Sequence, residues 1–178
     1  MSQPVSDLIW APRPFLHWAL FAYTFILGIE TGAAGFVTKV VFPLWASSPE
    51  AVINWRPDSP YYLEEGDFFM YASPLTLILA VTTLIAGWKS SPPLRKWLMF
   101  ATISFIIVFM VSVAYFIPIQ AEVKGEAGLQ FTTGQLSSML NTFVNTNYLR
   151  FLTLLIGFGC ALHALGLSYR MRMVRNMT

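Results

Sequence analysis

The chain has 178 residues and carries 11 Lys plus Arg against 9 Asp plus Glu, a net charge of +2 that selects no class of partner. Charged residues make up 11%, where ~25% is usual, and apolar residues reach 56%, with 15 Phe, 7 Tyr and 6 Trp. Such a chain cannot cover itself with polar surface, is too apolar for disorder and lacks the basic excess of a nucleic-acid binder. Its one cysteine, Cys160, excludes an internal disulfide framework and a cysteine-based zinc site. What remains is an integral membrane protein.

Four stretches have the roughly 20 mostly apolar residues that a bilayer-crossing helix requires. The first covers about 14–42. It is longer than the ~7–15 apolar residues of a signal peptide and follows no basic n-region with a cleavage site. Pro43 is expected to end it, since proline offers no backbone N–H. A first outer loop, 43–67, carries Trp45, Trp55, Tyr61 and Tyr62 and is expected to fold over the outer mouth of the bundle. The second span is about 68–88, and Ser90-Ser91-Pro92-Pro93 then makes a tight turn into the third, about 97–117, so these two are antiparallel neighbours. Pro118 is expected to end the third span. The second outer loop, 118–146, reads as partly helical, with Thr133 to Phe143 an amphipathic helix lying at the surface. The fourth span is about 147–170, with Asn145 and Asn147 as candidate caps. The fold class is therefore all-α, a four-helix membrane bundle forming one domain over 1–178, without an internal repeat.

Orientation follows from Lys and Arg outside the spans. Arg13, Lys89, Arg95, Lys96, Arg170, Arg172 and Arg175 fall on one side, against Arg56 and Lys124 on the other. Both termini are thus expected in the cytoplasm, and in a bacterium the membrane would be the inner one.

Ionisable groups inside spans are expensive and mark functional sites. Glu30 lies mid-span in Gly28-Ile29-Glu30-Thr31-Gly32-Ala33-Ala34-Gly35, where glycines at helical spacing invite a neighbouring helix to approach. It is read either as a helix-locking acid or as a proton relay, substrate anchor or general base. Arg150, near the outer end of the fourth span, is its natural partner, with snorkelling to headgroups as the alternative. Asn141, Asn145, Thr146, Asn147 and Tyr148 precede Arg150 as a polar run at the outer mouth. Lys39 reads as a snorkelling residue and Cys160 as packing. His17 and His163 differ in depth by roughly 8–10 Å at 1.5 Å per residue, a poor arrangement for two axial ligands of one haem. Neither a metal nor an organic cofactor is expected.

Three of these places together resemble the anthrone oxygenase-like family of small four-helix membrane proteins. They are the Gly-rich run from Gly28 through Phe42-Pro43, then Pro118-Ile119-Gln120 at the end of the third span, and Phe143-Val144-Asn145-Thr146-Asn147-Tyr148-Leu149-Arg150 entering the fourth. The resemblance implies the four-helix fold, and oxygenation of polyketide anthrones without metal or organic cofactor.

Three functions are compatible with this reading. The first is an accessory subunit of a larger membrane assembly, docking other subunits or a second copy through apolar faces and the aromatic outer loop. The second is a cofactor-independent oxygenase or redox enzyme acting on a lipophilic aromatic or quinone-like molecule. There Glu30, Arg150 and Asn147 would be catalytic, while Gln120, Asn145 and Tyr148 would bind substrate. The third is a small transporter component.

Overall fold

The computed structural model describes residues 14–47, 65–124 and 130–177. They form α1 (Pro14–Phe36), a π-helical turn (Val37–Val41), α2 (Phe42–Ser47), α3 (Glu65–Gly87), α4 (Pro92–Val111), a second π-helical turn (Ser112–Phe116), α5 (Ile117–Lys124) and α6 (Thr133–Met177). No strand occurs among the described residues. Four continuous helical stretches are long and apolar enough to cross a membrane: Pro14–Ser47, Gly66–Gly87, Pro92–Val123 and Thr133–Val174.

Sequence pattern explains which face of each helix is inside. In α1 the buried residues Leu16, Leu20, Tyr23, Thr24, Leu27, Glu30, Thr31 and Ala34 recur every three or four positions. The opposite face exposes Phe15, Trp18, Phe21 and Phe25. A helix apolar on its outer face as well as its inner one suits lipid on the outside. Some buried polar positions are satisfied within their own helix. Thr24, Thr31 and Thr38 recur every seven residues, and each donates its hydroxyl to the carbonyl four residues back, at 2.8, 2.7 and 2.6 Å.

The helices pack in a ring, α1 against α3, α3 against α4, α4 against α6 and α6 against α1. Contacts between α1 and α6 run in opposite directions along the two sequences: His17 with Ser168, Gly28 with Phe158, Gly35 with Phe151, Thr38 with Asn147. The start of α1, the turn 88–91 between α3 and α4, and the last turns of α6 therefore share one end, termed here the terminal end; the other is the loop end. The main core of Leu16, Leu20, Tyr23, Leu27, Ala80, Leu98, Ala101, Phe105, Leu154 and Ala161 fills the bundle. Two smaller clusters extend it at the loop end, one around Phe42, Phe116 and Phe143, the other around Val123, Leu136 and Leu140.

Four expectations from sequence are corrected. Pro43 and Pro118 do not end their helices. Ahead of each, the Phe42 and Ile117 N–H groups reach back five residues, to the Val37 and Ser112 carbonyls. The widened turn displaces the backbone from α register just before the ring, so the helix absorbs the proline and continues. Residues 133–143 are not a separate surface helix but the first turns of a 45-residue α6, about 68 Å long at 1.5 Å per residue. Leu136, Leu140 and Phe143 recur every three or four residues and pack against residues of α2, α5 and the π turns, so the helix continues through this stretch. Asn145 and Asn147 accordingly lie mid-helix and cap nothing. The start of α6 is instead a capping box, in which Thr132 N–H donates to Gln135 Oε1 at 3.0 Å and Gln135 N–H to Thr132 Oγ1 at 3.4 Å.

The fourth correction concerns the glycine seam. Gly28 and Gly35 face α6, where an added Cβ would come within 2.9 and 3.0 Å of the Phe158 and Phe151 rings. Gly32 has nothing within 4 Å of such a Cβ and is exposed. Seven residues return a helix to nearly the same direction, whereas four overshoot by about 40°, so only the first and third glycines lie on the seam. Of the first outer loop, 48–64 fall outside the described residues, and with them Trp55, Tyr61 and Tyr62.

Candidate functional site

Glu30 points inward from the middle of α1 and is 2% exposed. Thr76 Oγ1 donates to its Oε1 at 2.6 Å and Ser73 Oγ to its Oε2 at 3.4 Å. Ser73 and Thr76, three residues apart on α3, share a face one turn apart, so both carboxylate oxygens are held by one neighbouring helix. Burial of a carboxyl without such donors would cost several kcal/mol.

Arg150 projects from α6 towards the same region. Its Cζ lies 4.7 Å from the centre of the Phe116 ring and 5.6 Å from that of Phe69. Its Nε is buried without a hydrogen-bond partner among the described residues. Glu30 and Arg150 do not form a direct ion pair; the Glu30 oxygens are engaged by Thr76 and Ser73, and the guanidinium lies against aromatic faces. Both instead line one cavity of about 390 Å³, walled mainly by Val37, Phe42, Phe69, Phe109, Phe116 and Leu154, with Ser73, Ser112 and Gln120 as further polar groups.

Proline placement explains why a void sits here. Pro74 interrupts the α3 ladder and lines the cavity, while Phe42 and Ile117, the residues before Pro43 and Pro118, line it too. Three of the four membrane helices thus have their α hydrogen-bond ladder interrupted at one depth, two by a π turn and one by a proline. The fourth, α6, carries no proline and presents Arg150. Side chains of regular helices interdigitate to near-crystalline density; three interrupted helices around one regular helix leave space. Towards the loop end, aromatic rings pack beside the space: Phe42 and Phe116 meet Phe143 edge-on at 4.7 and 5.0 Å, and Trp45 lies 6.3 Å from Phe143.

The structure brings together Glu30, Arg150 and Gln120, three of the six residues expected at a site. The other three are elsewhere. Asn147 is fully buried one turn from Arg150, with its Nδ2 donating to Thr38 Oγ1 at 2.5 Å and its Oδ1 without a partner. It ties α6 to α1 and does not reach the cavity. Asn145 is exposed on another face of α6. Tyr148 is half-buried and its ring receives Lys39 Nζ at 4.6 Å, which also settles where the Lys39 ammonium goes. His17 Nδ1 pairs with Ser168 Oγ at 3.2 Å, while the exposed His163 lies 4.5 Å from Trp97, so the two histidines belong to separate contacts.

Ser73, Thr76, Ser112 and the four phenylalanines were not anticipated. Ser73 and Thr76 are marked in the sequence only as polar residues three apart inside an apolar span. Nothing local marks Phe69 or Phe116, whose roles arise from helices distant in sequence.

Chemically, the cavity offers a hydrogen-bonded carboxyl that can exchange a proton and a fixed cation that can hold an oxygen anion, both in apolar surroundings where such interactions are strong. Fold and site together define a class: an all-α protein with the helices of a multi-pass membrane protein and a polar pair set in an apolar cavity. Comparison with models of known families, with curated proteins and with solved structures finds no match.

Proposed function

We propose that this chain is a multi-pass membrane protein that binds a lipophilic aromatic or quinone-like molecule in the Glu30–Arg150 cavity and transfers a proton there. Its reaction class would be cofactor-independent oxygenation or a related redox step. The observation that carries this reading is Arg150, a guanidinium lining an apolar cavity, with two aromatic rings beside it and a buried Nε that has no acceptor among the described residues. A ligand oxygen would complete it. The volume lies within the range of about 300–1,000 Å³ typical of small-molecule sites.

In this reading the Glu30 carboxylate takes the proton from an acidic C–H or O–H of the ligand, and Arg150 stabilises the resulting oxyanion. Gln120 orients the ligand from the loop end, and Asn147 acts at one remove by fixing α6 against α1. The electron-rich anion then meets O₂, the oxidant of the reaction. The resemblance to the anthrone oxygenase-like family supports the same chemistry. Both termini face the cytoplasm in this proposal, on the strength of the basic residues around the terminal end.

The accessory-subunit reading rests chiefly on the aromatic outer loop, most of which lies outside the described residues, and on apolar outer faces that any lipid-exposed helix carries. Many transporters form their binding site at an unwound stretch of a spanning helix, and the described spans wind continuously.

The test is thermal unfolding of the detergent-purified protein with decylubiquinone or an anthrone, paired with native mass spectrometry. Ligand at a hundred times its Kd should stabilise by about 2.7 kcal/mol. Arg150→Gln should abolish the shift, and Glu30→Gln should keep binding but lose anthrone oxidation. No shift in the wild type, together with co-purifying protein subunits, would replace this proposal with the accessory-subunit one.

A further inference from the structure

Two facing ridges line the cavity and are also exposed on the outside of the bundle. On α3 they are Met70, 60% exposed, and Pro74; on the opposite side they are Val113 and Ile117, 49% and 58% exposed. Within each pair the residues are four apart, one helical turn, so each pair forms a continuous edge about 6 Å long. Residues that belong to an interior cavity and to the outer surface at once mark its rim. All four are apolar, as a rim against hydrocarbon should be. The polar lining groups Glu30, Arg150 and Ser73 lie behind it, on or facing α1 and α6.

The physical origin of the gap is the pair of interruptions that bound it. Pro74 lacks the N–H that would bond the Met70 carbonyl, and Val113 lies inside the π turn that precedes Pro118. Each edge of the opening is therefore a place where one helix's α hydrogen-bond pattern is broken, and both stretches line the same cavity.

We infer that the cavity is open sideways to the lipid through this slit, so that its ligand is a bilayer-dissolved, largely apolar molecule that arrives between α3 and the third membrane helix with its oxygen-bearing end leading towards Arg150. This rests on the ligand-site reading above and adds the route and the phase from which the ligand comes. The competing route is an aqueous mouth at the loop end, where Gly66 and Gln120 form the rest of the rim. An added Cβ at Gly66 meets nothing within 4 Å among the described residues, so a side chain can leave the backbone there unobstructed.

The experiment is photolabelling in phosphatidylcholine vesicles with 3-trifluoromethyl-3-phenyldiazirine, an apolar aryl probe that dissolves in the hydrocarbon and has no oxygen with which to use Arg150. Labelled residues are mapped by peptide mass spectrometry. In the wild type, label is expected on the lipid-facing Ile103 and Ile156 and also on Phe109 and Ser112 inside the cavity. The double variant M70W/I117W, which plugs the slit at two exposed positions, should lower the interior label at least tenfold and leave Ile103 and Ile156 unchanged; the latter also report that the bundle is intact. Gly66→Trp should change neither. Interior label that is absent in the wild type, survives M70W/I117W or disappears in Gly66→Trp overturns the lateral route. Because the probe lacks a polar head, loss of quinone or anthrone binding with slit labelling preserved would sink the proposed function and leave the route standing.

Discussion

A charged side chain is tolerated in a low-dielectric interior only when its field is answered locally, and Glu30 and Arg150 are answered in different ways. Glu30 accepts from two hydroxyls of α3. Arg150 rests on the faces of Phe69 and Phe116, a cation–π arrangement worth about 0.5–2 kcal/mol per ring. The hydroxyls can be tested singly. Thr76→Val removes the 2.6 Å bond and should lower stability by about 1–3 kcal/mol, the range for leaving a buried polar group without its partner, whereas Thr76→Ser should restore most of it; SDS titration of the purified protein reads both. Asn147 gives the opposite expectation. Its Oδ1 already lacks a partner and Thr38 keeps its own bond to the Ala34 carbonyl. Asn147→Leu combined with Thr38→Val should therefore lie within about 1 kcal/mol of wild type, because removing both polar partners avoids stranding either. A larger loss in the pair than in the singles would show that Asn147 serves something beyond the α1–α6 contact.

At the scale of elements, helix spacing decides which small residues matter. Gly35→Ala drives a methyl to about 3.0 Å from the Phe151 ring and should cost about 1–3 kcal/mol of bundle stability, as overpacking does. Gly32→Ala enters open space and should be neutral or stabilising by up to about 1 kcal/mol, through helix propensity alone. The same unfolding assay on both variants checks this, and equal effects would contradict the seam. The long α6 offers a second case. Its first turn is secured by Thr132 and Gln135, so Thr132→Ala should cost about 1 kcal/mol locally. Faster amide exchange confined to the first turns of α6, with the rest unaffected, is the expected signature. The prolines show how an element can depart from its sequence signal. Pro43 and Pro118 read as stops because a missing donor ordinarily ends a ladder; a one-residue widening of the preceding turn allows the chain to carry on.

For the whole molecule, the ring order and antiparallel register place the 88–91 turn and the start of α6 at opposite ends of the bundle. In a Cys160→Ser background, single cysteines at Ser91 and Gln130 should react with an impermeant maleimide from opposite sides of a sealed vesicle, Ser91 from the cytoplasmic side. Reaction of both from one side would remove the four-crossing topology. The class of protein was legible before any coordinates: 56% apolar residues in four long runs leave a chain few places to go but a bilayer, and an acid in the middle of one run has to be buried against something. Glu30 and Arg150 were identifiable for that reason, since desolvating a charge is costly wherever it occurs. What surrounds them was not. That Arg150 meets Phe116 and Phe69, that Glu30 is held by Thr76, and that Asn145 and Tyr148 turn away from the site all depend on rotations of separate helices about their axes. Those rotations are set by the packing of all four helices at once. The cavity itself lies where three proline-containing helices meet one without proline, a coincidence of depth between segments up to about a hundred residues apart, and only the tertiary structure brings it about.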